Sequence, residues 1–252
     1  VMGSNGDAMK YRKLGNTGIE VSCIGLGCAQ LGSSRTEYAV QIVRRALELG
    51  VNYFDTARSY WDSEIKLGVG LGAERGKVYI SSKTTAKTRG EAWRHINESL
   101  ERLQTDYLDN YHLHGLGDAA DVELRFGPGG ALEALVEAKA KGLVRHIGCT
   151  SHRSSILLEA LERFEFEIIL VPMNIVEREP LDYLIPICLE SGIGISIMKP
   201  VATGLLPPAL ALKWLLNQPM ATARVSSKCG KEAEENSLIG YIEDPTLTNM
   251  EL

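Results

Sequence analysis

Eight short apolar runs rich in β-branched residues alternate with longer amphipathic patterns, and this alternation limits the fold more than any other feature of the chain. The strand candidates are residues 22–25, 51–54, 78–81, 107–112, 144–149, 167–171, 194–198 and 222–225. The helix candidates are residues 37–49, 63–71, 90–103, 130–141, 154–164, 181–191, 208–217 and 231–238. Gly50, Gly142 and Gly192 stand where three of these helices should stop. Strands separated by helix-length crossovers pair in parallel, because a tight turn cannot join parallel neighbours. Two α/β architectures satisfy that rule, an open doubly wound sheet and a closed (β/α)8 TIM barrel. Eight units in 252 residues match the barrel. No change of composition marks a second domain, so residues 10–252 are expected to form one barrel. Residues 1–9 are small and polar and read as a leader or tag-like segment.

With 44% hydrophobic and 23% charged residues the chain is ordinary for a globular protein. The net charge of -5 is spread without a basic run, which argues against a nucleic-acid partner. Apolar stretches are strand-sized, far short of the roughly 20 residues of a membrane span. Cys23, Cys28, Cys149, Cys188 and Cys229 are scattered and contain no C-x-x-C pair, so they read as small hydrophobes in a reducing cytoplasm.

Barrel chemistry sits at the C-terminal ends of the strands. The second candidate strand runs into Asp55 and on to Tyr60, the third ends at Lys83, and the fourth ends at His112-Leu113-His114. An aspartate, a tyrosine, a lysine and a histidine thus converge on one rim. A phenol, with a pKa near ~10, is a poor acid at neutral pH; an adjacent ammonium makes it a better one, and a carboxylate keeps the ammonium charged and oriented. The same residues also read as a rim salt bridge, Asp55 to Lys83, beside incidental loop side chains. Residue types alone leave both readings open.

Phe54-Asp55-Thr56-Ala57-Arg58-Ser59-Tyr60, with Ser63-Glu64 and Leu67-Gly68, resembles the aldo-keto reductase signature. Ser99-Leu100-Glu101-Arg102-Leu103, Asp106 to Tyr111 with His112-Leu113-His114, Lys141 to Arg145 with Ile147-Gly148, and the opening Tyr11 to Gly15 are similar to the same family. The resemblance runs from about Lys10 to the end of the chain. It implies reduction of an aldehyde or ketone by NADPH, with Asp55, Tyr60, Lys83 and His114 as the catalytic tetrad and Tyr60 as proton donor. His112 is expected on the other face of its strand if the strand persists that far, and otherwise as a further rim residue.

The resemblance also implies a cofactor cleft. Thr150 and Ser151 match the carboxamide-binding step. Leu170 stands where many members have a glutamine, and Met198 where an aromatic stacks on the nicotinamide. Lys199, Pro200, Thr203 and Gly204 match the segment around the pyrophosphate, and Gly27 and Cys28 belong to the same cleft. Arg224 and Lys228 are the cations expected near a 2'-phosphate, and Glu235-Asn236 resembles the adenine-binding pair. Residues 116–128, glycine- and proline-containing, are expected to be a loop covering a small-molecule carbonyl substrate. The short connection at residues 205–208 implies an open cofactor cleft. Two alternative readings are a non-catalytic nucleotide-binding regulatory barrel and a metal-dependent barrel hydrolase. His112-x-His114 gives the second only two ligands where a zinc site needs about three.

Overall fold

Residues 9–219 and 222–226 are described by the structure, a computed structural model. The leader-like stretch, apart from Met9, and the helix expected at 231–238 lie outside the described residues, as do Lys228, Cys229, Glu235 and Asn236. The chain begins with an antiparallel hairpin, β1 (Tyr11–Lys13) and β2 (Glu20–Ser22). Eight parallel strands follow: β3 (Ile24–Gly27), β4 (Tyr53–Asp55), β5 (Tyr79–Thr84), β6 (Leu108–Leu113), β7 (Val144–Thr150), β8 (Ile168–Pro172), β9 (Gly194–Met198) and β10 (Thr222–Ser226). They close into a barrel, with β10 paired to β9 on one side and to β3 on the other. Around it lie α1 (Thr36–Glu48), α2 (Ser63–Leu71), α3 (Arg89–Leu103), α4 (Ala119–Phe126), α5 (Ala131–Ala140), α6 (Ser154–Arg163), α7 (Leu184–Glu190) and α8 (Pro208–Leu216). The (β/α)8 barrel expected from the alternation is the fold observed. Among the described residues no helix is long and apolar enough to cross a membrane.

Each helix shows the barrel a stripe set by its 3.6-residue period. Ala39, Ile42, Val43 and Ala46 of α1 are buried, as are Ala92, Ile96 and Leu103 of α3. They pack against outward strand residues such as Phe54, Ile80, Tyr111, Ile147, Ile169 and Ile197. Residues of the opposite parity point inward. Register and strand tilt stack these into layers drawn from alternate strands. Gly27, Lys83, Thr150 and Met198 lie at the top. Asp55, His112 and Leu170 come next, then Gly25, Ser81, Gly148 and Ser196, then Tyr53, Asn110 and Ile168.

Three expectations are corrected. The first strand was expected at residues 22–25, but Ser22 ends the hairpin: its N–H donates to Asn52 Oδ1 at 2.6 Å and its hydroxyl to Ile24 O at 2.8 Å, turning the chain before β3. The hairpin plugs the barrel bottom, where Leu14, Ile19 and Val21 pack on Tyr53 and Ile168. Second, residues 116–128 are not all loop but contain α4. Asp118 caps it by accepting from the Asp121 N–H at 2.9 Å, and Asp121 pairs with Arg125 at 3.0 Å one turn on. Third, α7 starts at Leu184, because a 3-10 turn at Glu179–Leu181 precedes it.

Candidate active site

The upper end of the barrel brings together the four residues picked out at the strand ends. Asp55 ends β4 and Lys83 lies near the end of β5, both inward and both essentially inaccessible to solvent, at 1% and 0% exposure. Lys83 Nζ donates to Asp55 Oδ1 at 2.5 Å and to the Thr56 carbonyl. The pair is therefore not a solvated rim bridge. Lys83 Nζ also lies 5.1 Å from the ring centroid of Tyr60. Burial lowers the pKa of Lys83 from its ordinary value, and the charge Tyr60 would carry as a phenolate is the strongest influence opposing that shift.

Tyr60 sits in the turn between β4 and α2. The Thr56 and Ser63 hydroxyls share a 2.8 Å hydrogen bond, and the Ser63 hydroxyl donates to the Cys28 carbonyl at 2.7 Å. Gly32 packs under this turn so closely that a Cβ there would lie 2.2 Å from the Tyr60 carbonyl oxygen. Trp61, next in sequence, has a left-handed φ of 46° and is 71% exposed.

His114 lies just past the end of β6, its ring edge-on to Tyr60 at 5.5 Å between centroids. Its Nδ1 is 3.3 Å from the Ser59 hydroxyl, and its carbonyl accepts from Arg125 Nη1 at 3.0 Å. Burial, with the Lys83 charge, pulls its pKa down to about 3, so the ring is neutral at ordinary pH. The tautomer in which Ser59 donates to Nδ1 carries its proton on Nε2, where an acceptor in the cleft can take the hydrogen bond. His112 was expected on the opposite face, and the structure corrects this. Residues two apart in a strand share a face, and His112 points inward one step below Lys83.

The residues expected around a cofactor fall on the same end, with varied surroundings. Leu170 is buried at an inward position and Met198 is half-buried at the end of β9. Lys199, Ala202 and Thr203 take left-handed φ values of 57°, 46° and 58° in the turn before α8, and Asn174 Nδ2 donates to the Lys199 carbonyl at 3.3 Å. Pro200 is buried, whereas Thr203 and Gly204 are exposed. Gly27 ends β3, Cys28 follows it, and the Cys28 N–H donates to the Asp55 carbonyl at 2.8 Å. Thr150 and Ser151 are engaged within the protein: Thr150 Oγ1 accepts from the Gly115 N–H at 2.7 Å, and the Ser151 hydroxyl donates to Leu116 O at 2.8 Å. Both brace the start of the segment leading to α4. Arg224 lies in β10, of which only the backbone is described. Sequence reasoning missed Ser59 and Arg125, which hold His114 from two sides; the i, i+4 pair Asp121 and Arg125 was the available signal.

A family model described as the aldo/keto reductase family matches residues 23–209. The chain belongs to the aldo-keto reductase family. It is 32% identical over 214 residues to an uncharacterised oxidoreductase of Bacillus subtilis, YqkF, covering 79% of this chain and 67% of that one. It is 34% identical over 230 residues to an L-galactose dehydrogenase of Arabidopsis thaliana, covering 82% and 70%. The solved holo form of an aldo-keto reductase from Bacillus halodurans superposes with a TM-score of 0.80 at 27% identity, covering 93% of this chain and 91% of that one. This aldo-keto reductase is accordingly an NAD(P)H-dependent oxidoreductase acting on small-molecule carbonyl compounds. Its residues fit a nicotinamide: Leu170 and Met198 offer apolar contact for a flat ring, Gly27 adds no bulk at the top layer, and Lys199 brings a cation beside the open rim.

Proposed function

We propose that this aldo-keto reductase reduces aldehydes or ketones to alcohols with NADPH, using Tyr60 as the proton donor. The observation that carries the reading is the buried Asp55–Lys83 pair beneath the Tyr60 ring, with a neutral histidine edge-on to the same ring. The nicotinamide, when bound, supplies hydride to the carbonyl carbon. Tyr60 gives its hydroxyl proton to the carbonyl oxygen, and the adjacent Lys83 ammonium stabilises the phenolate left behind. Asp55 fixes that ammonium in place. His114 donates from Nε2 to the carbonyl oxygen, orienting it and offsetting the charge that develops there. Met198, Lys199, Pro200, Thr203 and Gly204, together with Leu170, Thr150, Ser151, Gly27 and Cys28, would hold the cofactor at this end of the barrel. Lys228, which the resemblance puts near a 2'-phosphate, favours NADPH over NADH because charge-assisted bonds to a phosphate are strong, whereas Arg224 is in register with the inward Gly25, below the strand end. The resemblance assigns Glu235 and Asn236 to the adenine. Residues 10–252 make up the enzyme domain, and the first turn of α4 with the segment before it borders the substrate.

The test is Tyr60→Phe, assayed for carbonyl-dependent NADPH oxidation and titrated with NADPH and NADH. The ring stays and one hydroxyl goes, so nucleotide affinity should hold while turnover drops by about 10² to 10⁴. A folded variant that reduces carbonyls at the parent rate would overturn the mechanism. A parent that binds NADPH without turning over any aldehyde or ketone would favour a regulatory nucleotide-binding role, and equal affinity for the two nucleotides would remove the case for NADPH.

A further inference from the structure

The mechanism uses the upper layers of the barrel and leaves the middle unexplained. The middle layer is Gly25, Ser81, Gly148 and Ser196, with no side chain larger than a serine. Barrels of eight strands have an interior just wide enough for side chains to fill, and branched apolar residues normally fill it. Here the neighbouring layers lean into the space. The His112 ring lies over Gly148, where a Cβ would come within 2.6 Å of its Cε1 and Nδ1. Asn110, from the layer below, directs Nδ2 to the Tyr53 hydroxyl at 3.4 Å.

Five polar atoms facing this space have no hydrogen-bond partner among the described residues: Ser81 Oγ, Asn110 Oδ1, both ring nitrogens of His112, and Ser196 Oγ. All four side chains are at most 1% exposed. The Cys149 backbone approaches the His112 ring and favours its charged form, yet stands outside hydrogen-bonding geometry. Buried polar groups in folded proteins are almost always bonded, and one orphan is costly. Five on three strands of one barrel are not a set of independent defects. Their chemistry is complementary: two hydroxyls that both donate and accept, an amide oxygen that accepts, and a neutral imidazole with one donor and one acceptor nitrogen.

We propose that the middle of the barrel is an internal water site, in which Ser81, Asn110, His112 and Ser196 bind ordered water directly beneath Asp55 and Lys83. A buried water takes about 2–4 protein partners, so these groups suit a cluster of about two or three molecules. The cluster gives His112 a partner on each ring nitrogen without a second charge next to Lys83. It also puts polarisable hydrogen bonds on the underside of an otherwise desolvated ammonium. The site stands apart from the cofactor cleft and does not depend on the reaction proposed above.

The test uses the full chain. Water relaxation dispersion counts long-lived internal waters in the parent and in a Ser81→Ala/Ser196→Ala double variant, and a high-resolution crystal structure of the parent locates them. Expected are waters within hydrogen-bond reach of the His112 ring and both serine hydroxyls, and a lower count in the variant. The melting temperature of each single variant carries independent information. Loss of a hydroxyl that binds water should lower it by a few degrees, whereas removal of a dry, unpaired hydroxyl should raise it. A rise in melting temperature, an unchanged water count, or a barrel middle filled by protein side chains would overturn the proposal.

Discussion

Lys83 has three N–H bonds to give, and two go to Asp55 Oδ1 and the Thr56 carbonyl. Its remaining influence is directed at Tyr60, whose phenolate charge is the largest effect opposing the downward pull of burial on the ammonium. The two groups therefore act as one donor, and this coupling is measurable. Tyr60→Phe and Lys83→Met should each lower turnover severely. The double variant should be little worse than the more damaging single change, because the second change disables a donor already lost. Turnover losses that multiply would separate the two roles and remove Lys83 from the proton-donor step. Lys83→Met also leaves Asp55 buried without its counter-charge, which costs about 3–5 kcal/mol, so the comparison belongs on protein verified as folded.

At the scale of elements, the hairpin and α4 do the positioning. β1 and β2 seal the barrel below, with Leu14 fully buried against Gly194, whose Cβ, if present, would lie 2.8 Å from Leu14 Cγ. Leu14→Ala should cost about 2–5 kcal/mol, read as a lower urea midpoint at unchanged slope, while the Michaelis constant of the carbonyl substrate stays put because the plug lies at the far end from the cleft. A large rise in that constant with little loss of stability would mean the hairpin acts on the site directly. The hairpin was illegible because strands of three residues, Tyr11–Lys13 and Glu20–Ser22, are too short to show period-two alternation. α4 was illegible because its flanking glycines and Pro128 read as loop, although the Asp118 cap was in view. The strand ends were legible because each apolar run breaks into polar residues where the barrel opens, which put Asp55, Lys83 and His114 on one rim before any geometry was known. His112 was misplaced on the other face although residues two apart in a strand share one, and its unpaired nitrogens depend on Ser81, Asn110, Gly148 and Ser196, brought together only by barrel closure.

Across the whole molecule, His112 and His114 at the upper end of the barrel have surroundings that favour the neutral ring. Burial, with the Lys83 charge second, lowers the pKa of His112 and of His114 to about 3, against an ordinary value of 6.5. Between these limits the unfolded chain binds protons that the folded chain refuses, so stability rises with pH across that window and is lost as pH falls below 6.5. Each histidine contributes a slope on the order of 1.4 kcal/mol per pH unit once the unfolded ring is charged. Glu167 adds to the loss lower down, since its contacts with His146 and Lys139 outweigh burial and hold its carboxyl at about 2. Glu64 works the other way: burial raises its carboxyl pKa, so protonation above pH 4.5 favours the folded state and softens the decline. Four histidines with lowered pKa values, His95 and His152 included, against one raised carboxyl leave a net loss. The urea midpoint should therefore fall steadily from pH 7 to pH 4.5, and fall less steeply in His112→Gln, which removes one of the most strongly shifted rings and keeps a polar side chain at the same inward position. A midpoint that stays level between pH 7 and pH 5, or an identical slope in parent and variant, would show that His112 does not carry its share of the linkage and that its ring is less secluded than its place one layer below Lys83 requires.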